Sequence, residues 1–246
     1  MAASRAQLIV FAGFCPTRLP VTAARSSAAQ AAALPLTAIT AWELLFERLR
    51  LGPDNGANQS LLIIGGAGGV GSFLIQLARQ LTQLKVIATA SRPETKDWCI
   101  ALGAHAVIDH GKPLASQVTQ IAADGVDLVA SLTQTDLHLD AIVEAIKPQG
   151  QLALIDDPSR FDMSKLKRKS ASVHWEFMFT RSLYRTPDMH RQRELLNEVA
   201  ALIDSGRLRS TASADFGEIS AANLRLAHKL IESGKACGKV VLHGYA

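Results

Sequence analysis

The sequence predicts an α/β protein with a doubly wound parallel sheet of about six strands and helices on both faces. Short apolar runs, of the kind that form strands buried on both faces, alternate with segments whose apolar residues recur every three or four positions, as on a helix. A glycine-rich stretch follows the first apolar strand and opens the next helical segment. Because right-handed crossovers place helices on both faces of a parallel sheet, this alternation predicts the doubly wound arrangement.

The composition agrees with a folded chain and excludes several functional classes. Of the 246 residues, 48% are hydrophobic and 20% are charged, which excludes wholesale disorder. The net charge is +4, but no block of like charges is long enough for a nucleic-acid-binding arm. The three cysteines are far apart, and no apolar run approaches about 18 residues. We therefore expect a cytoplasmic protein without a disulfide framework, a membrane span or a nucleic-acid partner.

Residues 1–30 differ from the rest of the chain. They contain three arginines and no acid, and they are rich in Ala, Ser and Thr. This composition fits a transit peptide, a secretory signal, or the product of a truncated or shifted reading frame. Under each interpretation the segment is expected to be poorly ordered.

The predicted elements follow in order from periodicity and turn signals. A helix is predicted over 31–50, with Pro35 in its first turn and a Gly-Pro-Asp-Asn-Gly cluster at its end. The next strands and helices alternate. The predicted strands are 61–64, 85–90, 106–108, 126–130 and 151–155, and the predicted helices are 72–81, 94–102, 114–122 and 137–146. A sixth strand is predicted over 172–179, where apolar residues alternate, and the last elements are helices at 191–203 and 221–231 and a strand at 239–242.

The glycine-rich stretch is the main functional signal, because it fits the pattern G-x-G-x-x-G between a buried strand and a helix. In that context Gly66 is expected to allow the tight turn, Gly68 to let the backbone approach a pyrophosphate, and Gly71 to let the helix pack on the strand. The free amides of Gly69 and Val70 would face the phosphates. The sequence therefore predicts a Rossmann-type dinucleotide-binding domain, and the alternative is a glycine-rich turn without a ligand.

The end of the second strand indicates which dinucleotide is bound. An NAD site places Asp or Glu about 20 residues past the glycine loop, and this chain has neither residue there. Ser91 and Arg92 instead offer a hydroxyl and a guanidinium, which suit a 2′-phosphate, and Lys96 lies one helical turn further on. NADPH is therefore the favoured cofactor, and the alternative for Arg92 is a solvated surface charge.

No catalytic residue can be named from the sequence. The tyrosines Tyr184 and Tyr245 do not form Tyr-x-x-x-Lys, and G-x-S-x-G is missing, which disfavours a hydrolase. The seven histidines show neither H-x-x-x-H nor H-E-x-x-H spacing and, with three dispersed cysteines, give no zinc ligand set. We therefore predict no metal site and a cofactor-binding half without an evident proton donor.

Five motifs occur in a characteristic order: AAALPLTAITAWE at 31–43, the glycine loop at 65–71, Leu-Gly-Ala at 102–104, Val-Ile-Asp-His at 107–110 and Gly-Lys-Val-Val-Leu at 238–242. Together they resemble the medium-chain dehydrogenase/reductase superfamily, most closely the zinc-type alcohol dehydrogenase-like proteins of its quinone-oxidoreductase branch. That family begins with a GroES-like catalytic domain of roughly 100 residues or more. The resemblance starts at residue 31 and lacks most of that domain, so we favour a truncated or shifted frame for 1–30.

The resemblance implies a domain organisation and particular cofactor contacts. Residues 31–50 would be an interdomain helix, 51–210 the Rossmann domain, and 211–246 a segment packing on the catalytic domain, of which this chain holds remnants. The pyrophosphate loop falls on Gly68, Gly69 and Val70, and the 2′-phosphate site on Ser91 and Arg92. His110 would lie near the adenosine phosphate. The resemblance places the nicotinamide ribose and ring near Ser131, Leu132, Thr133, Leu154 and Ile155, with Thr40 close to the nicotinamide end.

The family resemblance also implies a function. We expect a zinc-independent, NADPH-dependent oxidoreductase that reduces a quinone or an α,β-unsaturated carbonyl, with little turnover from this chain alone. The family's sixth strand pairs with its mate across a two-fold axis, so a homodimer through 172–179 is expected, the alternative being an ordinary edge strand. A zinc-dependent alcohol dehydrogenase and a non-catalytic dinucleotide-binding module stay open as alternatives.

Overall fold

A six-stranded, fully parallel sheet forms the centre of the computed structural model, which describes residues 27–52 and 54–245. Its strands are β1 (Ser60–Ile64), β2 (Lys85–Thr89), β3 (Ala106–Ile108), β4 (Val126–Ser131), β5 (Ile146–Leu154) and β6 (Ser172–Trp175). They lie in the order β3-β2-β1-β4-β5-β6, so the chain starts at the centre, runs to one edge and returns to build the other half. This order confirms the predicted doubly wound Rossmann-type sheet.

Helices cover both faces of this sheet, as predicted. The helices that pack against the strands are α2 (Pro35–Trp42), α3 (Gly69–Leu81), α4 (Pro93–Ala101), α5 (Leu114–Ile121), α6 (Thr135–Ala145) and α8 (His190–Asp204). The described chain also contains α1 (Ala28–Ala32), α7 (Thr180–Tyr184) and α9 (Ala221–Glu232). In β1, Leu61 and Ile63 pack with α2, α3 and α8, whereas Leu62 and Ile64 pack with α5 and α6. Each strand residue is therefore buried on one face or the other, which explains the continuous apolar run. No helix in the described part of the chain is both long and apolar enough to cross a membrane.

The helix predicted over 31–50 is divided into three pieces. α1 begins at Ala28, and the Ser27 hydroxyl accepts from the Gln30 backbone while the Gln30 side chain accepts from the Ser27 backbone. α2 starts at Pro35, as predicted, because proline needs no hydrogen-bonding partner in a first turn. A π-helical turn, Glu43–Arg48, follows α2 directly. The boundary expected at residue 31 therefore falls inside a helix.

The π-helical turn is tied to the end of the sheet by a partly buried ion cluster. Arg181, which is 7% exposed, donates to Glu43 and, at 2.7 and 2.9 Å, to Glu47 and Asp188. Gln192 adds a hydrogen bond of 3.0 Å to Glu43. Charges this deeply buried need several partners to offset their lost hydration. The cluster therefore joins this turn to α7 and to the start of α8, and the role of 31–50 as an interdomain helix stays a prediction.

The sixth strand is shorter than predicted. β6 ends at Trp175, after which the Glu176 amide donates to the Leu154 carbonyl at 2.9 Å and the chain turns into α7. The alternating aromatics beyond Trp175 belong to this turn, because the rings of Phe177 and Phe179 pack edge to face with centroids 5.5 Å apart. The prediction of a strand up to residue 179 was therefore wrong.

The C-terminal region forms a second, two-stranded sheet. β7 (Ala212–Ile219) and β8 (Lys239–Tyr245) pair in parallel and are connected through α9. β7 was not predicted, because its sequence ASADFGEI has few β-branched residues. The amide of Gly238 donates to the Ala67 carbonyl at 2.8 Å, so this region joins the glycine loop. Its packing on a further domain stays a prediction.

Glu176 is an unusual buried acid in the turn after β6. Its Oε2 accepts a hydrogen bond of 2.8 Å from Arg48, whereas Oε1 is buried and has no partner among the described residues. Burial, reinforced by the nearby Glu43 carboxylate, raises the pKa of Glu176 to about 8, although Arg48 acts in the opposite direction. The folded state therefore holds a proton that the unfolded chain releases above its ordinary carboxyl pKa.

This proton predicts a pH-dependent stability. Between the ordinary carboxyl pKa and about 8 the folded state binds more protons than the unfolded state, so the free energy of unfolding should fall as pH rises. One proton gives a slope of at most about 1.4 kcal/mol per pH unit. Glu176→Gln should flatten this slope in urea unfolding from pH 5 to 8, whereas Glu198→Gln, at an exposed position on α8, should not. Equal slopes in wild type and Glu176→Gln would contradict the assignment.

Candidate cofactor site

A cleft of about 490 Å³ opens at the carboxyl ends of the strands. It lies where β1 and β4 are neighbours and the strand order reverses, which is where doubly wound sheets bind ligands. Most of the predicted site residues line it together: Gly68, Gly69, Val70, Gly71, Ser91, Arg92, His110, Leu132, Thr133 and Ile155. Most residues predicted from the sequence therefore lie together in one cleft.

The glycine loop at 65–71 forms a turn, called the glycine turn below, whose first position differs from the prediction. Gly65, with φ of +84°, supplies the left-handed turn that had been expected of Gly66. Gly66 instead allows a close approach to β2: its amide donates to the Thr89 carbonyl at 3.2 Å, and an added Cβ would lie 2.7 Å from that of Ala88. Gly65 lines the cleft and Gly66 does not.

Gly71, Gly68 and Gly69 each occupy a different environment in the turn. An added Cβ on Gly71 would lie 2.3 Å from the Gly65 carbonyl oxygen, so only glycine lets α3 sit this close to the turn. At Gly68 the nearest atom to an added Cβ is 3.4 Å away, so this position is open on the protein side. α3 begins at Gly69, and first-turn amides such as those of Gly69 and Val70 lack intrahelical partners. These amides and the helix dipole make the turn suitable for an anion.

Lys239, which was not predicted as a site residue, lies against this turn. If Gly69 carried a Cβ, that atom would lie 2.6 Å from the Cδ of Lys239 and 3.1 Å from the methyl group of Thr37 in α2. Burial lowers the pKa of Lys239. The motif at 238–242 was noticed in the sequence, but its contact with the glycine turn depends on the return of the chain after α9, which periodicity does not show.

The end of the cleft at which Arg92 lies is closed by the segment after α9. Arg92 donates to the Lys235 carbonyl at 2.8 Å and lies 3.3 Å from Glu94. This segment also contributes cleft-lining residues that were not predicted, namely Ile231, Gly234 and Ala236. Arg92 thus holds the C-terminal segment across the end of the cleft where Ser91 and His110 lie.

Lys96 does not line the cleft. Its Nζ lies 3.7 Å from the Asp109 carboxylate. The backbone N–H of Gly111, and then the Lys96 charge, hold the pKa of Asp109 below its usual range. On the other side, the His110 and His138 rings meet edge to face with centroids 6.5 Å apart, and burial lowers the pKa of His138.

The nicotinamide end predicted by resemblance is formed only in part. Leu132, Thr133 and Ile155 line the cleft, together with Gln134, which was not predicted. The other predicted residues of this end are buried and do not line the cleft. Ser131 is buried and bonds to Thr135, Leu154 belongs to the core, and the Thr40 hydroxyl donates to the Leu36 carbonyl within α2.

Among residues 27–52 and 54–245, no three His, Cys, Asp or Glu side chains come together to hold a metal ion. The described residues therefore do not supply a zinc site.

Comparison with known proteins identifies a family. The sequence profile described as zinc-binding dehydrogenase matches residues 102–242, which is more than half of the chain. A zinc-type alcohol dehydrogenase-like protein of Staphylococcus aureus strain MSSA476 is 40% identical over 223 residues, which are 88% of this chain and 65% of that relative. The chain thus spans less than two thirds of the length of this curated relative.

Solved structures agree with this relationship. A protein of Rhizobium etli CFN 42, described as a zinc-dependent alcohol dehydrogenase, is 55% identical and superposes with a TM-score of 0.83 over 89% of this chain and 64% of its own. A mycobacterial protein solved in complex with NADPH is 25% identical, with a TM-score of 0.75 over 88% of this chain and 65% of its own.

Gly68 and Gly71 should respond differently to the same substitution, because an added Cβ has room at Gly68 and none at Gly71. Gly71→Val should lower the free energy of unfolding by on the order of 1–3 kcal/mol, because its Cβ would meet the Gly65 backbone. Gly68→Val should leave the melting temperature nearly unchanged and weaken NADPH binding by roughly tenfold or more, because its side chain would occupy the place of the pyrophosphate. Thermal unfolding and fluorescence titration measure both. Unchanged NADPH affinity in folded Gly68→Val would contradict the site.

Proposed function

The chain belongs to the zinc-binding dehydrogenase family, and on that premise we propose that it binds NADPH in the cleft and serves hydride transfer to a quinone or an α,β-unsaturated carbonyl. The observation that carries the proposal is the glycine turn at the start of α3, which opens on the cleft with Arg92 at one end and Leu132, Thr133 and Ile155 at the other. A dinucleotide needs one region for its adenosine ribose, one for its pyrophosphate and one for its nicotinamide, in this order.

Arg92 and Ser91 support NADPH as the cofactor. Both line the cleft beside the end of β2, where an NAD site would place a carboxylate. A guanidinium binds a phosphate with charge-assisted hydrogen bonds, and Arg92 already extends along the rim of the cleft toward the Lys235 carbonyl. The mycobacterial relative solved with NADPH is consistent with this preference.

The pyrophosphate would be held from two sides of the turn. First-turn amides of α3 offer hydrogen bonds from one side. Lys239 lies against Gly69 from the other side, and a bound anion would offset the cost of burying its charge. The fit of these groups to a pyrophosphate is why the cleft is assigned to a dinucleotide.

The hydride acceptor would meet the cofactor at the ends of β4 and β5. NADPH supplies the hydride, and the residues of this chain position the ring and exclude water from one side. Quinones and α,β-unsaturated carbonyls are already electrophilic, so they require the least assistance from acids or metals. This suits a cofactor half in which the sequence offers no evident proton donor.

A zinc-dependent alcohol dehydrogenase is the second candidate. It is favoured by the Rhizobium etli protein, which is 55% identical and is described by that activity. The described residues supply no metal cluster, so no step through zinc is derived from them.

A second copy of the chain is the proposed partner at the edge of the sheet. β6 leaves one edge unpaired in the described structure, and exposed apolar side chains surround it. They include Trp175, Phe177, Leu183 and Tyr184. Because an open apolar edge favours strand pairing, we propose a homodimer through β6, shortened to Ser172–Trp175 from the range expected from the sequence.

The cofactor assignment predicts the effect of reversing the charge at Arg92. Wild type should bind NADPH more tightly than NADH. Arg92→Asp should lose roughly ten- to a hundredfold in NADPH affinity, because a charged hydrogen bond to the 2′-phosphate is replaced by repulsion. NADH affinity should change little. Arg191→Asp, an exposed charge on α8, serves as the matched control. Equal NADPH affinity in wild type and Arg92→Asp would show that Arg92 is only a surface charge and does not contact the 2′-phosphate.

The activity is tested with the same protein. NADPH oxidation is followed with a small quinone and a small enone, and NADP⁺ reduction with a primary alcohol in the presence of Zn²⁺. Acceptor-dependent NADPH oxidation without added zinc supports the proposed function, and zinc-dependent alcohol oxidation would favour the second candidate. NADPH binding without either reaction would favour a dinucleotide-binding module.

The proposed homodimer predicts that a charge on the open edge separates the copies. Trp175 is 48% exposed beside this edge, whereas Leu226 is 53% exposed on α9. Trp175→Glu should shift the mass measured by light scattering from dimer to monomer, because pairing would bury the new carboxylate. Leu226→Glu should leave the dimer intact. A monomeric wild type, or a dimeric Trp175→Glu, would contradict pairing through β6.

A further inference from the structure

A polar network lies beneath the nicotinamide end of the cleft. The Asp156 carboxylate, just after β5, accepts from both the amide and the hydroxyl of Thr135, at 2.8 and 2.5 Å. The Thr135 hydroxyl is also 2.7 Å from that of Ser131, the last residue of β4. Ser131 and Thr135 are completely buried. The network therefore links the ends of β4 and β5 with the start of α6.

The three residues between Ser131 and Thr135 form a loop that this network fixes at both ends. The amide of Leu132 donates to the Ile64 carbonyl at 3.2 Å, which holds the loop to β1. Gln134 adopts a left-handed conformation, with φ of +52°, which a residue with a side chain adopts at some cost. Such a conformation persists only where its surroundings enforce it. The next residue, Thr135, is fixed by the two hydrogen bonds that it donates to Asp156.

The loop faces the cleft and is free to contact a ligand. Leu132, Thr133 and Gln134 line the cleft, and the Thr133 methyl group lies 3.0 Å from the position of a Cβ on Gly65. In the described part of the chain, no hydrogen bond is made by the side chains of Thr133 and Gln134. Their positions therefore depend on the backbone, and the backbone depends on Asp156.

We propose that Asp156 is a positioning residue, which holds the loop 132–134 in the conformation that receives the nicotinamide half of the cofactor. This inference rests on the proposed function, since it assigns the nicotinamide half to this end of the cleft. Asp156 does not touch the ligand. It acts through Thr135, and its neighbour Ile155 lines the cleft.

Simple stabilisation of the helix start is a competing explanation, and Asp136 provides the control for it. Asp136 lies one residue further along α6 and carries the same charge in the same first turn. Its carboxylate accepts from Ser159 at 2.8 Å and makes no bond to the loop 132–134. Removing either carboxylate changes the charge at the start of α6 equally, but only Asp156 holds the loop.

The experiment compares two ligands that share the adenosine end. NADPH and 2′,5′-ADP are titrated into wild type, Asp156→Ala, Asp156→Asn and Asp136→Ala. Asp156→Ala should weaken NADPH binding roughly tenfold, because two loop side chains must then be ordered on binding. Its affinity for 2′,5′-ADP should stay within about twofold of wild type, since that ligand does not reach the loop. Asp156→Asn can keep both bonds, because its Oδ1 can accept from the Thr135 amide and its Nδ2 can donate to the Thr135 hydroxyl. It should therefore recover most of the NADPH affinity, and Asp136→Ala should match wild type.

Two outcomes would overturn the proposal. One is a folded Asp156→Ala that binds NADPH as wild type does. The other is a parallel loss of both ligands, which would show a general structural role. If Asp156→Ala does not fold, Thr135→Val decides, because it removes the hydroxyl but keeps the backbone bond to Asp156; NADPH binding must then weaken while 2′,5′-ADP binding is kept. A wild-type chain that binds neither ligand would instead contradict the proposed function.

Discussion

The approach of α3 to the turn that precedes it is the constraint on which the site depends. A side chain at Gly71 would overlap the Gly65 carbonyl oxygen, with only 2.3 Å between that atom and a Cβ. This contact aims the start of α3, with its unpaired amides, at the cleft. The left-handed Gly65 and the open Gly68 complete the arrangement, so one short segment fixes the turn, the helix direction and the space for a phosphate.

Around this turn, three distant parts of the chain meet. The end of β2 brings Ser91 and Arg92, the loop after β4 brings Leu132 and Thr133, and the segment after α9 brings Gly234 and Ala236. The last of these is joined to the turn by the Gly238 amide and held at the rim by Arg92. Arg92 therefore has a structural partner in addition to its proposed phosphate, and ligand binding would compete with its bond to the Lys235 carbonyl.

The sequence predicted the central sheet well because each strand is buried on both faces and each helix on one, and those patterns are local. It failed where structure depends on distant contacts. The segment 31–50 forms α1, α2 and a π-helical turn rather than one helix, and the ion pairs that bind this turn to Arg181 join elements far apart in the sequence. The aromatics after Trp175 alternate like a strand but pack on one another in a turn. Among the residues near the cleft, the glycine loop and Arg92 were predicted from their spacing in the sequence. Lys239 and Gln134 were not predicted, because their positions at the cleft depend on segments that are distant in the sequence.

The polar groups are arranged differently at the two ends of the cleft. Around the glycine turn, backbone amides and small residues leave room for a ligand, with Arg92 at the rim and Lys239 packed against Gly69. Beneath the end of the cleft lined by Leu132, Thr133 and Ile155, the side chains of Ser131, Thr135 and Asp156 satisfy one another and leave nothing to offer a ligand directly. A fully satisfied network of this kind rigidifies its surroundings. Ser131 and Leu154, which the resemblance placed at this end, do not line the cleft: Ser131 belongs to this network and Leu154 to the apolar core, whereas Leu132, Thr133, Gln134 and Ile155 do line it.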